Sequence, residues 1–147
     1  MENFVERIDH INIVVKNLGE VKAFFMSLGF REEDQSTLEG NWISETVDLE
    51  DVKAQYVKLT LPGDNVSIEL LEFDHPPMTE ISFPGGANTQ GFRHVAFRVK
   101  DIESTVSFLK NKGIEPLSQI QEYLKLSKKL VYFRGPEGIL LELAQYS

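Results

Sequence analysis

Apolar residues recur along this chain in two patterns, and each pattern occurs twice. The run 10–15, HINIVV, alternates: Ile11, Ile13 and Val15 fall on one side, and His10, Asn12 and Val14 on the other, as in a half-buried strand. Beyond Asn17 the spacing changes to three and four. Leu18, Val21, Phe24, Phe25 and Leu28 then form one stripe, which predicts an amphipathic helix. Both patterns return downstream. Val95, Phe97 and Val99 oppose His94, Ala96 and Arg98, and Ile102, Val106 and Leu109, with Phe108 nearby, make the second stripe. Asn17 and Asp101 stand where a side chain caps the first free N–H groups of a helix. Gly29 and Gly113 predict the helix ends, each followed by an apolar residue, Phe30 or Ile114.

The two stretches are copies of one unit. Residues 10–30 lie over 94–114 at a constant offset of 84 with no gap, with identities at His10/His94, Val15/Val99, Lys16/Lys100, Phe24/Phe108 and Gly29/Gly113. Further strands are predicted at 53–61 and 65–73 in the first copy, and at 128–134 and 138–146 in the second. The closing strands correspond too. They set Glu69 against Glu142 at an offset of 73, so the second copy is shorter by 11 residues. That difference is assigned to 34–51, read as a polar loop holding the only tryptophan, Trp42. Residues 74–91, rich in proline and glycine, read as a connector. The expected fold class is α+β, a single domain 1–147 built of two β-α-β-β-β modules at about 5–73 and about 92–147.

Composition narrows the chemistry. A formal charge of -8 and a pI near 4.9, without any Lys/Arg-rich stretch, argue against nucleic acid as a partner. Residues 1–7 have no basic-then-apolar leader, and no window approaches the roughly 18 apolar residues of a membrane span, so a soluble, cytoplasmic protein without a membrane partner is expected. The absence of cysteine removes disulfides, thiolate catalysis, Cys-ligated zinc and iron–sulfur clusters from the inventory. Any metal must be held by imidazole, carboxylate or water.

Strand alternation turns one His and one Glu of each copy away from the helix layer: His10 and Glu69, then His94 and Glu142. A single strand histidine is ordinarily a hydrogen-bonded structural residue, and a single strand glutamate a solvated one. On that ground Glu72 and His75 are left out of the site. The four matched positions are different, because packing symmetry alone does not require two of only three histidines at one repeat position. Two imidazoles and two carboxylates suit a divalent Zn, Ni, Co, Mn or Fe ion, the choice among them depending on geometry and supply.

The duplicated pattern, the opening strands HINIVV and HVAFRV, the closing IELL and LEL, and the segment GPEGILLE at 135–142 resemble the vicinal oxygen chelate superfamily. That family includes glyoxalase I, methylmalonyl-CoA epimerase, extradiol dioxygenases, and fosfomycin and bleomycin resistance proteins. The resemblance spans nearly the whole chain and implies two modules forming an incomplete barrel around a metal, with all four ligand positions of the glyoxalase I type filled. It also implies a homodimer, and leaves open whether the site forms within one chain or across two.

Four protein ligands on a six-coordinate ion leave two adjacent positions, which two neighbouring oxygens of one small molecule can fill. This favours a lyase or isomerase that stabilises an enediolate of an oxygenated metabolite or its thiol conjugate. By resemblance to glyoxalase I, Glu142 or Glu69 is also the catalytic base. Extradiol dioxygenases and fosfomycin-type transferases use three protein ligands, and a metal-free antibiotic binder of the bleomycin-resistance kind needs none. Arg98, on the His94 face, is a candidate for holding an anionic substrate group, or else for a salt bridge within the barrel. Asn12 is a candidate for orienting substrate, and Trp42 for covering the site.

Overall fold

The computed structural model describes residues 3–147; Met1 and Glu2, the first of the residues 1–7 read above for a leader, lie outside the described residues. The chain divides into two compact units, Met1–Glu80 and Ile81–Ser147. The first contains β1 (His10–Val14), α1 (Leu18–Ser27), β2 (Arg31–Glu39), α2 (Asn41–Val47), β3 (Lys53–Thr60) and β4 (Ser67–His75). The second contains β5 (His94–Arg98), α3 (Ile102–Asn111), β6 (Gln121–Tyr123), β7 (Lys128–Arg134) and β8 (Leu140–Tyr146). Their sheets share one topology, β1-β4-β3-β2 and β5-β8-β7-β6. In each, the opening strand runs parallel to the closing one and the other pairings are antiparallel. The α+β class is thus present, and the β-α-β-β-β order occurs twice as open four-stranded sheets, with α2 inserted between β2 and β3 of the first unit.

The repeated residues do repeated work. Asn17 Oδ1 accepts from Glu20 N, and Asp101 Oδ1 from Ser104 N, both at 3.1 Å, each satisfying one of the orphan donors at a helix start. At the far ends, Gly29 and Gly113 take positive φ, 110° and 82°. Phe30 N then reaches back to Phe25 O at 3.2 Å, and Ile114 N to Leu109 O at 3.0 Å, closing a Schellman turn in both copies.

Burial follows the stripes. Val21, Phe24 and Phe25 of α1 pack towards β3 and β4, where Val57, Leu59, Ile68 and Leu70 are buried. Phe25 meets Phe24 and Phe30 edge-on, with centroids 5.5 Å apart in each case. Leu18 and Leu28 are only partly buried. In the second unit Ile102, Val106 and Leu109 of α3 are buried, as are Val131, Phe133, Leu141 and Leu143, while Phe108 stays at the exposed rim.

The loop expected at 34–51 is corrected by the structure. Most of it is the strand β2 and the helix α2, with Trp42 in the first turn of α2 and 60% exposed. β2 is an edge strand whose residues are nearly all solvated, so it has no apolar alternation to reveal it. α2 has a single buried residue, Ile43, which joins Val52 and Ala54 in a small cluster with Leu38 and Phe73 against it. The expected connector also begins late, since β4 continues through His75.

Candidate metal centre

In the first unit, β1 and β4 bring His10 and Glu69 together on one face. His10 lies opposite Ser67 in the parallel register and Glu69 is two residues further on, so the side chains are diagonal neighbours. His10 Nε2 is 3.3 Å from Glu69 Oε1. The opposite ring nitrogen, Nδ1, lies 2.7 Å from Asp9 Oδ2. This hydrogen bond to His10 is the main reason that the Asp9 carboxyl titrates below its usual range.

The second unit repeats the arrangement. His94 pairs in register with Leu140, again two residues before the glutamate, and His94 Nε2 lies 3.1 Å from Glu142 Oε1. Glu142 is the more enclosed carboxylate, with 5% of its side chain exposed against 19% for Glu69. Its other oxygen, Oε2, lies 2.9 Å from Lys128 Nζ. That contact is the chief cause holding the Lys128 ammonium above its ordinary pKa. The His94 ring sits 4.7 Å from the ring of Tyr132, whose phenol is pushed up first by burial and then by the charge of Glu142.

Each unit therefore joins two of the four expected ligands. Among the described residues, no three or more His, Cys, Asp or Glu side chains gather as a metal-holding group. The two residues left out of the site have structural partners: Glu72 accepts from Leu18 N at 3.3 Å, and His75 Nδ1 meets Asp51 O at 2.8 Å. Asn12 is exposed on the His10 face and stands directly beside Glu69 in register. Arg98 is exposed on the His94 face with its guanidinium 4.8 Å from the ring centroid of Tyr146, a cation–π contact.

Asp9, Lys128 and Tyr132 were not singled out from the sequence, although two of them left a trace there. Asp9 directly precedes His10, within side-chain reach of its ring. The β7–β8 hairpin pairs Arg134 with Leu140, and counting outward sets Tyr132 opposite Glu142. Lys128 shares the parity of Tyr132, but nothing in the spacing alone indicates that its ammonium bends back four residues.

The His–Glu separations bear on whether the donors fit a metal. Adjacent donors that each stand about 2.1 Å from an octahedral ion are about 3 Å apart, and both Nε2–Oε1 pairs are close to that span. Imidazole with carboxylate is also the donor chemistry that a divalent transition metal accepts. Each pair by itself thus has the donor types and the spacing of two adjacent ligands.

Residues 7–143 match the model of the Glyoxalase/Bleomycin resistance protein/Dioxygenase superfamily, and the chain belongs to that family. Among solved structures it is similar to a glyoxalase family protein from Bacillus cereus, 32% identical with a TM-score of 0.90, over 98% of this chain and 96% of the other. It is 32% identical to the uncharacterized protein YwkD of Bacillus subtilis, over 95% of this chain and 96% of that protein. The Leishmania major glyoxalase I, 16% identical with a TM-score of 0.65, over 96% of this chain and 87% of that one, shares the fold. Among the described residues no helix is long and apolar enough to cross a membrane.

Proposed function

We propose that this protein is a metal-dependent lyase or isomerase of the glyoxalase I type, in which His10, Glu69, His94 and Glu142 hold one divalent ion. The observation that carries the proposal is the twice-made pairing of an imidazole Nε2 with a carboxylate Oε1 at 3.3 and 3.1 Å, on the faces turned from the helices. When bound, the ion would supply a Lewis acid at two neighbouring oxygens of a small oxygenated metabolite or its thiol conjugate.

The chain's own residues supply the rest. A glutamate moves the proton from the carbon beside the carbonyl, which requires its oxygen within hydrogen-bond reach of that C–H. Asn12, beside Glu69, would orient the substrate, and Arg98 would attract an anionic substituent.

Elemental analysis of the purified protein, followed by calorimetric titration with Ni²⁺, Zn²⁺ or Mn²⁺, tests the proposal. One ion per chain is expected, with His10→Ala and His94→Ala each abolishing it in a folded protein. No uptake of any of the three ions, or uptake that survives both substitutions, would overturn it.

A further inference from the structure

The second unit holds two arginines that the proposed chemistry leaves unused. We infer that Arg93 and Arg134 form a binding site for an oxyanion, and that the molecule handled on the His94 face carries the carboxylate or phosphate group that fills it. The site itself is independent of the metal-site reading above, on which only the origin of the oxyanion rests.

The two guanidinium groups meet consecutive carbonyls of one turn. Arg93 Nη1 donates to Pro84 O at 2.8 Å and Arg134 Nη2 to Gly85 O at 2.6 Å, while Arg134 Nη1 reaches Gly138 O at 3.2 Å. Glycines make this closeness possible. A Cβ on Gly85 would lie 2.7 Å from Arg93 Nη1, and one on Gly138 would lie 2.8 Å from Pro84 Cγ. Neither arginine has a carboxylate partner among the described residues, in a chain whose formal charge is -8. Two half-buried cations gathered without a counter-ion repel each other, and an anion between them removes that repulsion.

The unspent donors set the ligand chemistry. A guanidinium offers five N–H groups in a rigid fork that matches the oxygens of carboxylate and phosphate. The Nε–Nη2 edge of Arg93 has no protein acceptor among the described residues, and its Nε is buried, a donor costly to leave unmet. One face of the Arg134 fork is taken by the ring of Phe83, 5.6 Å away, which leaves its edges for a ligand.

The strand register sets this site beside the candidate ligands of its own unit. Arg134 and His94 are both direct partners of Leu140, one across β7 and β8 and the other across β5 and β8, and cross-strand partners share a face. Two strand spacings, about 10 Å, separate their backbones. A substrate whose reacting oxygens lie at His94 and Glu142 therefore carries its anionic group roughly that far from the reacting end.

Calorimetric titration of the metal-free, full-length chain with inorganic phosphate at fixed ionic strength tests the site. One phosphate per chain is expected, with Arg93→Met and Arg134→Met each weakening it at least about tenfold while circular dichroism stays unchanged. No phosphate binding, or an affinity that both substitutions leave intact, would show that the arginines only fasten the turn. Should the variants not fold, ¹H–¹⁵N spectra of the wild type decide: phosphate is expected to shift Arg93, Arg134 and Gly85, and shifts confined to other residues refute the site. The origin of the oxyanion is read on the Ni²⁺-loaded chain with a straight-chain dicarboxylic acid monohydroxamate, whose hydroxamate takes a metal through two oxygens. It is expected to bind at least about tenfold tighter than its methyl ester, and Arg134→Met to abolish the difference. An ester that binds equally well would sink the substrate assignment and leave the oxyanion site standing. A chain that takes up no Ni²⁺ would overturn the metal reading and the substrate assignment with it, and the phosphate titration alone would then decide the arginine pair.

Discussion

Asp9 Oδ2 lies 2.7 Å from His10 Nδ1, gripping the far side of the ring whose Nε2 faces Glu69. An ionised carboxylate can only accept, so this contact puts a proton on Nδ1; in the neutral ring Nε2 is then the nitrogen whose lone pair an ion would take. The repeat places Arg93 at the corresponding position, and its Nη1 turns instead to Pro84 O at 2.8 Å. Asp9→Ala is therefore expected to lower Ni²⁺ affinity by about 10- to 100-fold, the usual effect of losing such an outer partner. Calorimetric titration measures it, and an unchanged affinity would show that the carboxylate does not position the ring.

The helix caps make a second, independent prediction. Asn17 and Asp101 each satisfy one N–H at 3.1 Å, and they belong to different units. Asn17→Ala and Asp101→Ala should each cost about 1 kcal/mol of stability. The double variant should lose about the sum, because the sites share no partner. Urea unfolding reads all three, and strong non-additivity would contradict the independence of the caps.

These same caps explain why much of the fold was legible in the sequence. Helix stripes, cap residues and C-terminal glycines are local signals, so α1 and α3 could be placed from spacing alone, and alternation set the faces of β1, β4, β5 and β8. β2 escaped because its partner is β3 on one side only, and a solvated edge strand needs no apolar period. Symmetry marked His10, Glu69, His94 and Glu142 as the candidate site. Their supports were not marked, because Lys128 and Asp9 act through side-chain reach and charge, and neither is repeated: the residue facing Glu69 is drawn to Glu33 and the counterpart of Asp9 is an arginine.

Phe25 and Phe92 give opposite expectations for one substitution. Phe25 is fully buried between the rings of Phe24 and Phe30, each at 5.5 Å, whereas Phe92 is fully exposed just before β5. Phe25→Ala should destabilise by about 3–5 kcal/mol through the cavity it leaves. Phe92→Ala should change stability by less than about 0.5 kcal/mol. Chemical denaturation compares the two, and similar losses would mean that Phe92 is covered in solution.

Alkaline pH should weaken the first unit through Lys58 and Tyr56. Lys58 is held above its ordinary pKa chiefly by its hydrogen bond to Glu33, and Tyr56 chiefly by burial, with the charge of Glu69 adding to it. Both folded-state values are raised, so the native state binds these protons more tightly than the unfolded chain does. Their contribution is complete below the ordinary lysine and tyrosine values, about pH 10, and is lost as pH climbs through the raised ones. Urea midpoints followed from pH 8.5 to about 11 should fall more steeply for the wild type than for a Lys58→Met/Tyr56→Phe double variant. Parallel profiles would place the alkaline sensitivity elsewhere in the chain.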